Sequence, residues 1–379
     1  MRYTKLGDIT NNLDNKRIPL NSLEREGLSK KGQYPYIGAN NIMGYIDEYI
    51  FDDKILCVAE DGGSWGGGQI CANIYNEKCW VNNHAHVLVE NGQANLEYLR
   101  YFLNKTNLNK YITGTTRGKL TKSALESIIV PLPSLPTQLH IASLLSKAET
   151  LIARRKESIR LLDEYVKSVF LEMFGDPVRN ENKWVHVKLS ELGKLDRGVS
   201  KNRPRNAPEL LGGKYPLIQT GDIANAGLYI EKYSQTYSDM GLRQSKMWDI
   251  GTLCITIAAN IGKASILKFN ACFPDSVVGF IPNEEKCNAI FVYYLFQFLQ
   301  RILDRNAPQA AQKNINLAIL RELPVPSPPI ELQTRFARIV EKTEILKTRY
   351  QHSLVQLENL YGSLSQRAFR GEHICPIVT

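Results

Sequence analysis

Two histidines form the first pattern that could carry chemistry. His84 and His86 alternate along a predicted strand, so their side chains point to the same face. Imidazole nitrogens are common metal ligands, but a zinc site needs three or four ligands. No third ligand stands nearby in the sequence. A structural role for both histidines is therefore preferred, and no metal site is predicted.

A second pattern has the residue types of a metal-dependent nuclease. Asp275 is followed by Glu284 and Lys286, as in the Asp…Glu-x-Lys constellation of those enzymes. A matching segment earlier in the chain has Asn82 in place of Asp275 and no Glu-x-Lys. Because the pattern is short and degenerate, a strand followed by an acidic turn is preferred. A metal-dependent DNA endonuclease using Asp275, Glu284 and Lys286 is kept as the alternative function.

Sequence motifs for nucleotide binding and methyl transfer are absent. The chain has no GxxxxGK[ST] loop and no GxGxxG between a strand and a helix, so no ATP or dinucleotide site is indicated. The Asn-Pro-Pro-aromatic tetrapeptide of adenine methyltransferases is also missing. The chain is therefore predicted to have no cofactor of its own.

A glycine-rich loop, Asp61-Gly62-Gly63-Ser64-Trp65-Gly66-Gly67-Gly68, offers a candidate binding surface. Glycines let the backbone approach a phosphate closely, and a tryptophan ring can stack on bases or wedge between them. Trp65 and Gly66 are therefore candidate DNA contacts. A surface loop with a packing tryptophan is an equally weighted alternative.

Basic and amide side chains gather in three further clusters. Such side chains hold phosphates and read base edges, although solvated basic loops look the same. Two clusters precede the two long predicted helices at the same offset, and the third lies in the second half of the chain. The candidate DNA contacts in these clusters are Arg117, Lys119, Lys201, Arg203, Arg205, Gln312, Lys313 and Asn314.

The elements that must position these residues occur twice. Residues 125–174 align with residues 320–369 at a constant offset of 195 without a gap. In the first copy, ten positions spaced four and three apart from Ile141 to Met173 are apolar, with Arg155 as the only exception. This seam predicts a helix over 137–174 and a second over roughly 332–369. The chain is an internal duplication.

The two long helices are predicted to pair with each other. Only a short linker, Gly175-Asp176-Pro177, leads from the first helix into the second block, so the second helix must run back. The pair is then antiparallel, with a pseudo-twofold axis through its middle. The blocks before the helices are mixed strand and loop and share matched positions such as Cys57 and Cys254. Both blocks are therefore expected to have the same fold.

Length and composition restrict the class of protein. The chain has 379 residues, which suggests two domains, and its hydrophobic and charged contents of 43% and 22% are ordinary for a folded soluble protein. Its longest apolar run, near 289–296, is too short for a membrane span, and residues 1–10 lack a signal-peptide pattern, so a cytoplasmic protein is expected. Seven cysteines without CxxC spacing are expected to be reduced core residues. The net charge of +9 favours a polyanionic partner.

The duplicated pattern resembles the specificity subunit of type I DNA restriction-modification systems. The resemblance rests on the Pro-x-Pro approach and the glutamine ahead of each helix, on the helices, and on the domain segments 82–86 and 215–218. The prolines and glutamines concerned are Pro131, Pro133, Gln138, Pro326, Pro328 and Gln333. The resemblance implies an α+β fold with two similar target-recognition domains separated by a long antiparallel two-helix coiled coil with pseudo-twofold symmetry.

The resemblance also gives a domain plan. Residues 1–135 form the first target-recognition domain and 136–177 the central spacer helix. Residues 178–328 form the second target-recognition domain, 329–371 the C-terminal spacer helix and 372–379 a tail.

The function that the resemblance implies is non-catalytic. Such a subunit binds a bipartite asymmetric sequence in double-stranded DNA, one half per domain, and docks two methyltransferase subunits, with restriction subunits as optional further partners. S-adenosylmethionine, ATP and Mg²⁺ are expected on those partner subunits. An interaction scaffold that is held by its coiled coil and binds no nucleic acid stays open beside the endonuclease.

Overall fold

The computed structural model describes residues 2–114, 116–202, 204–258, 261–306, 315–370 and 372. They form two compact units, which we call unit 1 (Met1–Lys156 with His352–Thr379) and unit 2 (Glu157–Gln351). Each unit contains one of the two repeated blocks together with a part of each long helix. Within the described ranges, no helix combines the length and the apolar character that crossing a membrane requires.

Unit 1 consists of short strands followed by helices. Its strands are β1 (Arg2–Lys5), β2 (Thr10–Asn12), β3 (Tyr34–Ile37), β4 (Ile42–Ile46), β5 (Ile55–Ala59), β6 (Ala72–Tyr75), β7 (Trp80–Val81), β8 (Ala85–Glu90) and β9 (Ile129–Leu132). Its helices are α1 (Ser22–Gly27), α2 (Leu96–Lys105), α3 (Lys122–Glu126) and the first part of α4 (Leu135–Phe174).

The sheets of unit 1 are built around β5. The main sheet has the order β2-β8-β5-β6, a smaller sheet has the order β4-β3-β7, and β1 pairs with β9. Every residue of β5 is buried, as expected for a strand that is covered on both faces. Because successive side chains alternate between faces, Leu56 packs in the same cluster as Leu99 of α2, whereas Cys57 packs with Val87 on the opposite side.

Unit 2 has the same plan with some additions. Its strands are β10 (His186–Lys188), β11 (Gly193–Arg197), β12 (Leu211–Leu217), β13 (Tyr229–Ile230), β14 (Gln235–Tyr237), β15 (Met247–Trp248), β16 (Leu253–Thr256), β17 (Ala264–Leu267), β18 (Ala271–Cys272), β19 (Val277–Pro282) and β20 (Pro324–Pro326). Its helices are α5 (Leu189–Leu192), α6 (Thr220–Asn225), α7 (Asp239–Arg243), α8 (Ala289–Asn306), α9 (Leu317–Arg321) and the first part of α10 (Ile330–Arg370).

The sheet orders confirm the duplication. The main sheet of unit 2 runs β11-β19-β16-β17-β13, which repeats the order β2-β8-β5-β6 and adds β13 at one edge. The order β14-β12-β18-β15 likewise repeats β4-β3-β7 with one more strand, and β10 pairs with β20 as β1 pairs with β9. The matched cysteines Cys57 and Cys254 lie on the equivalent strands β5 and β16. Both blocks therefore have one fold, as predicted.

Helices α4 and α10 pair antiparallel within unit 1. The Tyr361 hydroxyl donates to Glu149 Oε1 at 3.1 Å, and Lys156 Nζ lies 2.9 Å from Glu358 Oε1. The numbers rise along α4 while they fall along α10, so the two chain segments run in opposite directions.

The same direction holds within unit 2. Lys347 Nζ donates to Asp163 Oδ1 at 2.5 Å, and the rings of Phe170 and Phe336 meet edge to face with centroids 5.5 Å apart. In the second long helix the corresponding seam runs from Phe336 to Ala368, and Thr343 and Lys347 are the two positions that break its apolar pattern. The Thr343 hydroxyl donates to the Ile339 carbonyl at 2.9 Å, so both polar side chains are satisfied inside the helix pair.

The burial pattern of both long helices follows the predicted seam. None of the seam positions between 141 and 173 or between 336 and 368 is exposed. Helix α4 begins at Leu135, two residues ahead of the predicted Thr137, and ends at Phe174. Gly175 closes it with a left-handed backbone (φ 76°) and an N–H bonded to the Leu171 carbonyl at 2.8 Å.

The cysteines are core residues, as predicted. All six within the described residues are buried and free. Burial raises the pKa of Cys71, Cys79 and Cys287 to about 12, so these thiols stay protonated and unreactive at neutral pH.

Candidate nucleic-acid interface

The predicted contact residues fall into two groups. Trp65, Gly66, Arg117 and Lys119 lie in unit 1, and Lys201 and Arg205 lie in unit 2. The remaining four candidates lie outside the described residues: Arg203, Gln312, Lys313 and Asn314.

Unit 1 brings its two predicted segments together. The glycine-rich loop that follows β5 joins the segment ahead of α3 through a bridge between Asp61 and Lys119 and through the Gly62 N–H, which donates to the Gly118 carbonyl at 3.2 Å. The Leu120 N–H also donates to the Glu60 carbonyl at 2.7 Å. Backbone hydrogen bonds therefore fix the basic segment to the end of the central strand.

Trp65 belongs to the core and not to the surface of this loop. Its side chain is only 6% exposed, and its indole N–H donates to the Ala59 carbonyl at 3.2 Å. A Cβ placed on Gly63 or Gly118 would lie 3.0 or 3.1 Å from the indole ring, so both glycines make room for it. The enclosed ring is not available to stack on a base in this conformation. The packing alternative is therefore favoured, because the apolar ring buries more surface inside the unit than a loop tip offers.

Gly66 does not present its amide to a ligand either. Its N–H donates to the side-chain oxygen of Gln69 at 2.6 Å. The loop therefore satisfies its own backbone, and the phosphate cradle that its glycines suggest is closed at this position.

Arg117 and Lys119 are the exposed basic side chains of the assembled surface. They are 61% and 47% exposed, and each is held by a carboxylate. Arg117 Nη2 donates to Asp61 Oδ1 at 2.8 Å, and Lys119 Nζ lies 3.0 Å from Glu60 Oε1. Such pairing orients both cations while leaving further N–H donors pointing to solvent.

A buried ionic network that the sequence did not reveal supports this surface. His86 Nδ1 lies 2.5 Å from Asp14 Oδ2, and its Nε2 lies 2.7 Å from the Leu120 carbonyl. Arg17 Nη1 donates to Glu60 Oε2 at 2.6 Å. Both ring nitrogens of His86 therefore face oxygen atoms, so the ring is held on both sides.

The network lowers the pKa values of both carboxyl groups. Burial opposes ionisation of Asp14, but the hydrogen bond and charge of His86, the Val87 N–H and the charge of Arg17 hold its pKa below the ordinary value. Burial likewise opposes ionisation of Glu60, and the hydrogen bonds from Arg17 and Lys119 lower its pKa. Both carboxylates are therefore charged and paired at neutral pH.

His86 has acidic neighbours that the spacing of the two histidines did not predict. Potential ligand atoms of Asp14, Glu60 and His86 lie within 4.8 Å of one another, so His86 does have acidic neighbours, which come from distant parts of the chain. His84 is elsewhere, with its Nδ1 2.6 Å from Asp61 Oδ1. Because Arg17 already binds Glu60 and both nitrogens of His86 are engaged, the three residues form an ion-pair cluster.

In unit 2, Arg205 lies beside Asp275. Its Nη2 forms an ion pair with Asp275 Oδ1, and the Arg197 side chain donates to the Asp275 carbonyl. The Lys201 N–H donates to the side chain of Gln244 at 2.6 Å, which fixes the backbone of that basic segment. The structure therefore ties two segments of unit 2 together near the basic cluster.

The residues of the alternative endonuclease do not form a site. Asp275 precedes β19, whereas Glu284 and Lys286 follow its end. A six-residue strand at about 3.3 Å per residue separates them by roughly 20 Å, too far to bind one metal ion. Asp275 is paired with Arg205, and the Lys286 carbonyl accepts a hydrogen bond from Gln333. The nuclease pattern was a coincidence of residue types.

Known proteins resemble the chain over most of its length. The sequence profile of the type I restriction modification DNA specificity domain matches residues 1–161 and 181–357. A Haemophilus influenzae protein assigned as a type I restriction enzyme specificity subunit is 26% identical over 91% of this chain and 88% of its own length. The EcoDI specificity subunit of Escherichia coli is 23% identical over 94% of this chain and 86% of its own length.

A solved structure has the same fold. The type I restriction-modification S subunit from M. genitalium superposes with a TM-score of 0.66 at 16% identity, covering 100% of this chain and 96% of that one. The likeness confirms the predicted fold class, α+β with two similar domains and long spacer helices. Because the family profile matches both repeats, the chain belongs to the type I restriction modification DNA specificity family.

Proposed function

We propose that the chain is the non-catalytic DNA-recognition subunit of a type I restriction-modification enzyme, and that each unit reads one half of a bipartite asymmetric sequence. The observation that carries the proposal is a common sheet order with different loops. The loop between β5 and β6 spans residues 60–71 in unit 1, whereas its counterpart in unit 2 spans only 257–263. Domains that share a scaffold but differ in their loops suit two different ligands, here two different half-sites.

Charge supports double-stranded DNA as the ligand. The net charge of +9 attracts a polyanion, and unit 1 exposes Arg117 and Lys119 from a surface fixed by backbone hydrogen bonds. Phosphate contacts position a protein on DNA, while side chains that reach the base edges determine the sequence.

The partners in this proposal supply the chemistry. Two methyltransferase subunits dock on the chain and bring S-adenosylmethionine, and restriction subunits add ATP and Mg²⁺. The sequence lacks nucleotide-binding and methyltransferase motifs of its own, which is consistent with this division of labour. Because DNA is the proposed ligand, the cytoplasm is the proposed location.

Selection from a random duplex library tests the proposal. The full-length chain, alone and co-expressed with type I methyltransferase subunits, is expected to enrich a two-part motif with a fixed gap. Its affinity should fall steeply as the salt concentration rises. Enrichment of a single undivided motif, or of none, would contradict bipartite recognition.

Two simple assays address the other candidate functions. Cleavage of a plasmid by the purified chain with Mg²⁺ alone would favour an endonuclease. Absence of any salt-dependent gel shift, with the helices folded, would favour an interaction scaffold. The proposal expects a shift and no cleavage.

A further inference from the structure

Arg117 is hydrogen-bonded to the carboxylate of Asp61, which is itself held in place by other contacts. Asp61 is only 19% exposed, and its Oδ1 lies 2.6 Å from His84 Nδ1 and 2.8 Å from Arg117 Nη2. His84 belongs to the turn between β7 and β8, and the Asn82 side chain accepts a hydrogen bond from its N–H at 2.8 Å. The acceptor that orients the guanidinium therefore has little freedom to move.

The backbone around Arg117 is equally restricted. Thr113 and Lys119 exchange backbone hydrogen bonds of 2.9 and 2.7 Å across the segment. Gly114 has a left-handed backbone (φ 94°), and a Cβ there would lie 2.4 Å from the Arg117 carbonyl oxygen. On the other side, a Cβ on Gly62 would lie 3.0 Å from Arg117 Nη2 and 3.1 Å from its Nε. The guanidinium plane is thus held between Asp61 and the Gly62 backbone while the side chain stays 61% exposed.

We infer that Arg117 reads a base pair in the half-site of unit 1, a guanine–cytosine pair, and that Asp61 is the positioning residue for this contact. The inference rests on the proposed function of DNA recognition. The inference adds the identity of one residue that determines the recognised sequence and of the base pair that this residue selects. Guanine presents two acceptors, O6 and N7, on its major-groove edge, and a fixed guanidinium fork offers two parallel N–H donors to them.

The carboxylate favours a base over a phosphate as the partner of Arg117. A phosphate that approaches the guanidinium also approaches the negative charge of Asp61 and is repelled by it. A base edge carries no net charge, and the cytosine amino group is a donor that a carboxylate accepts. Lys119 serves as the internal comparison. Its neighbour Glu60 is also bound by Arg17, which offsets the negative charge, and its flexible ammonium provides a point charge without the planar fork.

Selection with three single variants tests the inference. Arg117→Ala removes the reader, Asp61→Asn removes the charge that positions it, and Lys122→Ala is the matched control. Lys122 carries one positive charge on the neighbouring helix α3 and is 55% exposed. Thermal melts of all three variants check that they fold.

The expected result is a loss of base preference at one position of the unit 1 half-site. Arg117→Ala should reduce the preference for guanine–cytosine at one pair of the unit 1 half-site by roughly tenfold to a hundredfold and leave the other positions unchanged. Asp61→Asn should raise the affinity for all sequences, because a negative charge near the phosphates is gone, yet weaken discrimination at the same pair. Lys122→Ala should leave the selected sequence as it is.

Other outcomes overturn the inference in distinct ways. If Arg117→Ala weakens binding to every sequence equally and reduces the salt slope by about 0.9, the residue binds a phosphate. If Asp61→Asn keeps full discrimination, Asp61 does not position the reader. If the wild-type chain selects no sequence at all, the proposed function fails first, so the two failures are distinguishable.

Discussion

Gln138 and Gln333 occupy the same position in the two repeats and make the same three hydrogen bonds. The Gln138 side-chain oxygen accepts from the Asn95 N–H at 2.9 Å, and its amide donates to the carbonyls of Gln93 and Pro133 at 3.3 and 2.9 Å. Both side chains are fully buried.

Gln333 repeats this pattern in unit 2. It accepts from the Asn288 N–H at 3.0 Å and donates to the carbonyls of Lys286 and Pro328 at 3.2 and 2.8 Å. Each glutamine thus ties the start of a long helix to the start of the shorter helix that packs beside it, α2 or α8. The glutamines that carried the family resemblance are structural joints.

Replacing either glutamine should destabilise its own unit. Gln138→Met and Gln333→Met keep the side-chain volume but remove the partner of three backbone groups, so each should lower the unfolding free energy by about 2 kcal/mol. Urea denaturation measures the loss. Gln356→Met, at an exposed position of α10, is the control and should change little. If Gln138→Met and Gln356→Met lower the unfolding free energy equally, the buried hydrogen bonds of Gln138 do not contribute to stability.

Recognition should be modular. Transplanting residues 178–328 from a related specificity subunit should change one half of the target and keep the other, because the core of unit 2 is built from its own sheets and helices. Sequencing the methylated sites with partner subunits present gives the answer. A folded chimera in which both halves change contradicts independent reading.

Lys119→Ala should weaken binding without changing the sequence selected. Its ammonium is exposed and acts as a point charge, so its removal should reduce the slope of log affinity against log salt by about 0.9. Fluorescence anisotropy over a salt series measures the slope, with Lys122→Ala as a charge-matched control. An unchanged slope removes Lys119 from the phosphate contacts.

The long helices are expected to set the distance between the half-sites. One heptad inserted after Arg155 and another after Tyr350 adds about 10.5 Å, or roughly 3 bp, and keeps the seam in register. The protein should fold and lose its original site, since roughly 100° of added duplex twist accompanies the added length. Library selection identifies any new site, which should have a longer spacer. If the variant, together with its partner subunits, still methylates the original site, the long helices do not set the distance between the half-sites.

Protonation of Glu344 should make unit 2 more stable in mild acid than at neutral pH. Burial raises its pKa, with the charges of Asp163 and Glu231 acting in the same direction and Lys347 opposing them. A raised folded-state pKa means that the proton stabilises the folded form, fully below the unfolded value near 4.5 and less as the pH rises through the folded value. Glu344→Gln should therefore be more stable than the wild type at pH 7, and this advantage should vanish near pH 4. Thermal melts from pH 4 to 7 compare it with Glu341→Gln, whose position is exposed.

The sequence predicted the repeated parts of the fold because periodic burial leaves a periodic pattern. The seam from Ile141 to Met173 placed α4 to within two residues at its start, and the matched cysteines placed β5 and β16 on equivalent strands. Trp65 was ambiguous, since a tryptophan among glycines fits both a wedge and a core residue. Its burial depends on Ala59, Gly63 and Gly118, which only the folded chain brings around the ring.

The ionic network could not be found from spacing. Asp14, Glu60 and His86 lie far apart in the chain and meet only because β8 pairs with both β5 and β2, and Asp14 follows β2 beside Val87 of β8. The nuclease pattern failed for the opposite reason. Asp275 and Glu284 are close in sequence, but the extended strand between them carries them apart.

The pairing of the first and last strands of each block has an evolutionary consequence. Tyr3 of β1 faces Pro131 of β9, and Val187 of β10 faces Val325 of β20, so the chain enters and leaves each block at neighbouring points. These ladders are held by backbone hydrogen bonds, which depend little on side-chain identity. Two recombination crossovers, each within such a ladder, can therefore exchange a whole reading block between diverged genes without rebuilding the junction. If each block reads one half-site, as proposed, new DNA specificities can arise in a single genetic event in place of a gradual series of substitutions.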